Sequence, residues 1–412
     1  MTSVITSLGI IQESRHDESR APLAPVHIKK IKEKYPEINI TVQPSALRSF
    51  NDDEYAQNGA IISNNLETCD MILGVKEVDH NILIPEKTYL FFSHTYKLNK
   101  ETMINAQGTP GMDKKELLKN ILSKKIKLID YENIRDKNGA RYLGFGRFAG
   151  IVGCYNTLNL FLSHNKFLPM ARAFKIYSYD RLINNIKQIR FPNFKLLVTG
   201  DGRVAKGVLE VLNQTNIKQV SKLEFLKNSF TEPVYCNLAT KDYVSHPNKE
   251  DFDLEHFINN PHAYQSNALE YLKESNVYIS AHYWDPASPK IFNKNELRSL
   301  NNLQVIGDIT CDVDGSVPST IKSTTIEKPN FYLDKINMEE SKFQNNVLGV
   351  MAVDNLPSEL PRDSSTEFGD GVVNEILPFI FEKDDGRILN ATITNKGQFL
   401  EKYRYLENYI NS

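Results

Sequence analysis

Short apolar strands alternate with amphipathic helices along nearly the whole of this chain, and that alternation admits few folds. Residues 8–11 read as a strand, followed by a charged loop from Glu13 to Arg20. Pro25 then opens a helix to about Lys34, proline being favoured in a first turn. Residues 38–42 read as a strand, Asp52 and Asp53 begin a short helix, and Met71-Ile-Leu-Gly74 and Tyr89-Leu-Phe-Phe-Ser93 are buried-type strands. A helix at 115–123 leads into a strand at 126–130. Such a series predicts a parallel α/β layer.

From Lys195 a second series begins, with strands near 195–199, 216–220, 233–237, 276–280, 303–307 and 347–353. Between the two series lie an apolar helix from Gly146 to about Leu162 and a polar connection at 165–194. Segment 319–346 reads as a hairpin or loop excursion. Pro357 and Pro361 bracket a turn into a helix near 365–382. A chain of 412 residues exceeds one ordinary core. The expected division is 1–145 plus 355–412 and 146–354, because the last segment is too short for an α/β core of its own and completes the first domain.

The formal net charge is −2, which gives no electrostatic basis for binding nucleic acid or an anionic membrane surface. Cys69, Cys154, Cys236 and Cys311 are scattered and form no C-x-x-C, so neither a zinc knuckle nor a disulfide framework is expected, and no metal site is expected. No basic stretch followed by an apolar one opens the chain, and no apolar run approaches the roughly 20 residues of a membrane span. These features lead to the expectation of a cytoplasmic protein.

The sharpest local motif is Lys195-Leu-Leu-Val-Thr-Gly200-Asp-Gly202-Arg203-Val204-Ala-Lys-Gly207, an apolar strand running through glycines into a helix. Glycines allow the tight turn and let backbone N–H groups approach a pyrophosphate, to which the helix N-terminus adds partial positive charge. The third glycine falls later than G-x-G-x-x-G expects, with Ala205 in its slot, so the pattern alone is a weak signal. The following strand ends in Ser221-Lys222 with no acid at its tip, where NAD sites hold the ribose hydroxyls. A hydroxyl beside a lysine favours NADP(H); if Glu224 serves instead, the ligand is NAD(H).

Three features of the first domain carry chemistry. Glu13-Ser-Arg15-His-Asp-Glu18-Ser-Arg20 sets two arginines on one loop, and guanidinium forks suit carboxylates. Lys76 and Glu77 follow a buried strand, and strand C-termini of open α/β sheets face the ligand crevice. His94 ends the next apolar strand and suits acid/base work near neutral pH. Taken singly, a solvated loop, a snorkelling lysine and a core histidine explain them as well. Lysine and histidine at two successive strand ends make coincidence less plain.

Across nearly the whole chain, in one order, these residues resemble the lysine–2-oxoglutarate reductase domain of the aminoadipic semialdehyde synthases and, more distantly, lysine-forming saccharopine dehydrogenase. The motifs are Glu18-Ser-Arg20-Ala-Pro-Leu-Ala-Pro25, Ile72-Leu-Gly-Val-Lys76-Glu77, Phe91-Phe-Ser-His94-Thr, Leu128-Ile-Asp130-Tyr-Glu132, Gly144-Phe145-Gly146-Arg-Phe-Ala-Gly150, Thr199-Gly-Asp-Gly-Arg-Val-Ala-Lys-Gly207, Asp354-Asn-Leu-Pro357 and Glu367-Phe-Gly. The resemblance implies two Rossmann-like domains with parallel sheets flanking a cleft, like alanine dehydrogenase and transhydrogenase, with the C-terminus returning to the first domain. It implies L-lysine, 2-oxoglutarate and saccharopine as small-molecule substrates of an NAD(P)-dependent reaction. It implies acid/base roles for Lys76 and His94, tuning of their charge by Glu77 and Glu132, and substrate carboxylates held by Arg20, Arg15 and Arg141, with Glu18 in the same motif. Phe145 is implied near the substrate or nicotinamide, and Asp354 near the amino substrate and the nicotinamide ribose. Residues 160–195 and 240–345 match loosely. Fungal members carry Asp where this chain has Ser221. The alternatives are another amino-acid dehydrogenase on this fold and a nucleotide-binding module without catalysis.

Overall fold

In the computed structural model, residues 5–96, 113–248, 251–344 and 347–411 are described. The chain divides into two compact units, one of residues 1–145 and 361–412, the other of residues 146–360.

The first unit is built on an eight-stranded sheet. Its order is Gln398–Phe399, Thr392–Asn395, Lys127–Asp130, Thr88–Phe91, Met71–Leu73, Ser7–Ile10, Asn39–Val42 and Ile61–Ile62. The six strands from the N-terminal part are parallel, with Ile10 level with Leu73, Leu73 with Leu90, and Phe91 with Asp130. The central strands carry mostly apolar runs because both faces are covered. Met71, Leu73, Leu90 and Ile129 pack on one face, and Ile72, Tyr89, Phe91 and Leu128 on the other. Thr392–Asn395 joins antiparallel beside Lys127–Asp130, so the C-terminal segment completes this sheet. One consequence matters for function. Parallel strands put their C-terminal ends on one edge, so the segments after Ile10, Leu73, Phe91 and Asp130 gather there.

The helix expected near 365–382 begins at Pro361. It runs to Gly371, passes through a π-turn over Val372–Ile376 and ends as Leu377–Phe381. Pro378 lacks an N–H and cannot continue a regular ladder, which accounts for the break.

The second unit carries the other eight-stranded sheet. Its order is Glu339–Ser341, Asn330–Asp334, Leu348–Met351, Val305–Asp308, Val277–Ser280, Lys195–Thr199, Val234–Leu238 and Lys218–Gln219. All are parallel except the Asn330–Ser341 hairpin, which adds an antiparallel edge. That hairpin lies in the expected 319–346 excursion, of which residues 345 and 346 fall outside the described residues. The polar connection at 165–194 contains two helices, Ala173–Ile176 and Tyr179–Lys187. Ser178 caps the longer one, and it buries only Leu182, Ile183 and Ile186, a stripe too narrow to stand out in a polar stretch.

Helix Gly146–His164 is apolar on all sides and almost wholly buried, as a core helix must be. It lies so close to helix Arg203–Leu212 that a Cβ on Gly150 would stand 1.9 Å from the Val204 carbonyl oxygen, and one on Gly207 2.1 Å from that of Arg147. Residues 355–360 stay with this unit rather than with the first. Leu356 and Leu360 enter its core beside Ile151 and Tyr155, and Asn156 Nδ2 donates to the buried Glu359 Oε1 at 2.7 Å.

Two outcomes follow from these contacts. Gly150→Ala drives a methyl into a backbone carbonyl, and equilibrium denaturation should show a loss of at least ~2 kcal/mol. Burial pushes the Glu359 carboxyl up to about 7. Its native value therefore exceeds its unfolded one, so its contribution is complete below the unfolded value and lost as pH rises through 7. Stability should fall by roughly 1.4 kcal/mol per unit in that window from this group, and urea titrations of Glu359→Gln should lack that part of the slope.

Candidate functional site

The sheet edge of the first unit gathers the residues that the sequence singled out. Lys76 and Glu77 follow strand Met71–Leu73, and His94 follows Thr88–Phe91, the next strand in the sheet. His94 Nδ1 and Glu77 Oε1 are 2.7 Å apart, and the Glu77 side chain has no exposed surface. Burial opposes the charge on Glu77, but the His94 charge and hydrogen bond, with Lys76 nearby, outweigh it and hold the carboxyl at about 2. The His94 backbone is left-handed, with φ +50°, a conformation costly for a side chain larger than glycine and concentrated at functional sites. Its ring lies along Phe92, centroids 6.2 Å apart and planes 21° apart.

Glu18 and Arg20 form a fully buried fork-on-fork pair, with Arg20 Nε donating to Glu18 Oε1 at 2.7 Å. Burial would raise the Glu18 carboxyl, but Arg20 and then Lys76 hold it below its ordinary value. The Arg20 guanidinium also covers the Phe145 ring at 4.1 Å. Phe145 stacks on Phe368 at 4.4 Å, and Phe92 and Tyr131 complete this aromatic group. Arg15 is paired with Asp17 and buried. Arg141 Nη2 reaches Glu132 Oε1 at 2.8 Å and is the most open of the three guanidinium groups, about one-third exposed. The arginines thus stand on this edge with carboxylates of the chain already in their forks.

Three residues had no role from sequence. Asp130 is buried and accepts from the Ser93 N–H at 3.0 Å and the Ser93 hydroxyl, tying down the turn before His94. Burial, and then the like charge of Glu132, pushes its carboxyl up to about 6. So Glu132 acts on Asp130 as well as on Arg141. Phe368, from the C-terminal segment, could not be placed here without the tertiary fold. Glu13 receives the N–H groups of Val75 and Lys76. A buried acid ending an apolar strand was the signal that could have found Asp130.

In the second unit the glycine turn follows strand Lys195–Thr199. Gly200 has φ +122°, and a Cβ there would strike the Ala281 carbonyl oxygen at 2.4 Å. Gly202 begins helix Arg203–Leu212, no side chain caps that terminus, and nothing lies within 4 Å of where a Cβ of Gly202 would be. An uncapped helix start under open space suits the diphosphate of a dinucleotide. Exposed Arg203 stands at that start, while Val204 packs on the neighbouring helix. Gly207 is not part of the turn. It serves the helix contact with Arg147, which is why it stands late in the pattern.

The strand beside the glycine turn is Val234–Leu238, and Lys218–Gln219 lies outside it. The Ser221-Lys222 tip follows the outer of these two strands. Ser221 caps its own helix with Glu224, and Lys222 Nζ meets Asp242 Oδ1 at 2.5 Å. Asp354 follows Leu348–Met351, its N–H donating to the Thr324 carbonyl at 3.3 Å. Among the described residues no group of three or more His, Cys, Asp or Glu could hold a metal ion, and no helix is long and apolar enough to cross a membrane.

The low Glu77 value gives a direct check. A carboxyl depressed in the native state contributes stability above its unfolded value and loses it as pH falls through the native one. At pH 5, Glu77→Gln should cost on the order of 3 kcal/mol in chemical denaturation, with the gap closing toward pH 2.

Residues 9–152 match the family model described as alanine dehydrogenase/PNT, N-terminal domain. Over 95% of the chain there is 28% identity to the mitochondrial alpha-aminoadipic semialdehyde synthase of Mus musculus, 46% of which is covered. Over 97% there is 29% identity to the Arabidopsis thaliana synthase, 41% covered. The chain thus spans less than half the length of these relatives. It is 25% identical to saccharopine dehydrogenase [NAD(+), L-lysine-forming] of Schizosaccharomyces pombe, over 91% of this chain and 93% of that one. Among solved structures, an L-alanine dehydrogenase superposes with TM-score 0.64 at 12% identity, covering 98% of this chain and 99% of that one. The transhydrogenase from Sinorhizobium meliloti gives 0.57 at 12%, covering 96% and 98%. The chain's homologues are thus the aminoadipic semialdehyde synthases and lysine-forming saccharopine dehydrogenases, and its fold is that of alanine dehydrogenase.

Proposed function

We propose that this chain is a nicotinamide-dependent oxidoreductase that joins L-lysine to 2-oxoglutarate through an imine and reduces it to saccharopine, and runs the reverse reaction. The observation that carries the reading is the buried Glu77–His94 pair beside Lys76 at adjoining strand ends. Attack of the lysine ε-amine on the oxo carbon requires that the amine shed its proton, and loss of water requires that the carbinolamine oxygen gain one. Lys76 takes the first role and His94 the second, with Glu77 fixing the orientation of the imidazole through its hydrogen bond. Arg20, Arg15 and Arg141 face substrates rich in carboxylates. Substrate carboxylates would compete there with Glu18, Asp17 and Glu132. Phe145, on Arg20, offers an apolar wall.

A nicotinamide dinucleotide, when bound, supplies the hydride. Gly200, Gly202, Arg203 and the helix start would hold its diphosphate, and Asp354 is at the same strand-end edge of that unit. The preference for NADP(H) expected from Ser221 and Lys222 is replaced by a balanced expectation, since Lys222 is neutralised by Asp242 at that tip. Fluorescence titration should give dissociation constants for NADH and NADPH within about tenfold of each other, that is ~1.4 kcal/mol.

The decisive assay is nucleotide oxidation with lysine plus 2-oxoglutarate, compared with pyruvate plus ammonia. The alanine dehydrogenase fold is what favours the second pair. Turnover on the first pair is expected. Lys76→Met and His94→Gln should each lower it by about 10²–10⁴-fold, the usual cost of a lost acid/base group, and near-wild-type rates in both would remove them from the mechanism.

A further inference from the structure

Lys76 lies beyond the end of its strand, where the sheet no longer fixes the backbone. On the inner side the ladder from Ser7–Ile10 makes its last bond from the Ile11 N–H to the Leu73 carbonyl at 3.0 Å. On the other side Gly74 donates to Leu90, and Phe92 donates to Val75. That leaves the Val75 and Lys76 N–H groups without a neighbouring backbone acceptor. The Glu13 carboxyl takes both, Val75 N–H to Oε1 at 2.6 Å and Lys76 N–H to Oε2 at 2.9 Å. A Cβ on Gly74 would already stand 3.5 Å from Glu13 Oε1, so the carboxyl lies against this backbone.

We infer that Glu13 is the positioning residue for Lys76, its two oxygens standing in for the backbone acceptors of a strand that has ended and holding the lysine at one place during proton transfer. The inference rests on the reaction proposed above. A carboxyl is suited to this because it offers two acceptors side by side, whereas an amide of the same shape turns a donor toward one N–H. Burial, and then the like charge of Glu18, pushes Glu13 up to about 8, against its two N–H bonds and Arg20. The other charged or titratable groups around it are Lys76 and Tyr131, whose buried hydroxyl has no partner among the described residues. Glu13 touches the lysine through the main chain and acts on the reaction only through it.

The test is Glu13→Gln in the full chain, with two readouts. In steady-state assays kcat should fall about 10–100-fold, as misplacement of an acid/base group by an ångström would cause, while KM for 2-oxoglutarate and the dissociation constant for NADH stay within about threefold of wild type. Acetylation of Lys76 by acetic anhydride, read by peptide mass spectrometry, should change at least about threefold in rate, while the exposed Lys29 and Lys322 stay unchanged as internal references. A folded Glu13→Gln with both readouts within twofold of wild type would overturn the inference. If that variant does not fold, Glu13→Asp, which keeps the carboxyl but is too short to span both N–H groups, carries the same comparison. A wild-type chain inactive on lysine plus 2-oxoglutarate would overturn the reaction, and the acetylation rates would still decide the role of Glu13.

Discussion

A carboxylate with no exposed surface, held against an imidazole 2.7 Å away, is the interaction on which the site of the first unit depends. Glu77 could not stay ionised in that position alone, since an unpaired buried charge is among the most expensive features a fold can carry. His94 supplies the partner but must adopt a left-handed backbone to do so. The surroundings hold it there. Asp130 grips the Ser93 turn in front of it, and Phe92 lies along its ring. At the same edge the Lys76 N–H is held by the Glu13 carboxyl. The place of the Glu77–His94 pair is set by the geometry of parallel strand ends rather than by flexible loops.

Much of the fold was legible because parallel strands buried on both faces leave continuous apolar runs, as in Met71-Ile-Leu and Tyr89-Leu-Phe. The return of the C-terminal segment was legible from its length. Sheet order was not. Nothing local to Lys218–Gln219 says that it lies outside Val234–Leu238, because pairing is decided by crossover packing. The helix at Tyr179–Lys187 was missed because its buried stripe is only three residues.

The site shows a similar division. Lys76, Glu77 and His94 could be found because a strand end is both a sequence feature and a place in space. Glu13 could not, since its part depends on which backbone groups the fold leaves without partners, nor could Phe368, since its stacking on Phe145 depends on where the C-terminal segment returns. Gly207 shows how one residue type serves two purposes. Gly200 permits a turn that side chains rarely adopt, whereas Gly207 permits two helices to touch, and only the structure separates them. Arginine forks belong to the same class: the sequence shows Arg15 and Arg20, while only the folded chain shows that Asp17 and Glu18 already occupy them.

The measurement that bears most directly on the central claim is product identification. The chain is supplied with L-lysine, 2-oxoglutarate and nicotinamide dinucleotide deuterated at the transferable position, and the products are read by mass spectrometry. The account predicts saccharopine carrying a single deuterium on the former oxo carbon. Lysine and 2-oxoglutarate recovered unjoined, with the deuterated cofactor intact, would contradict it.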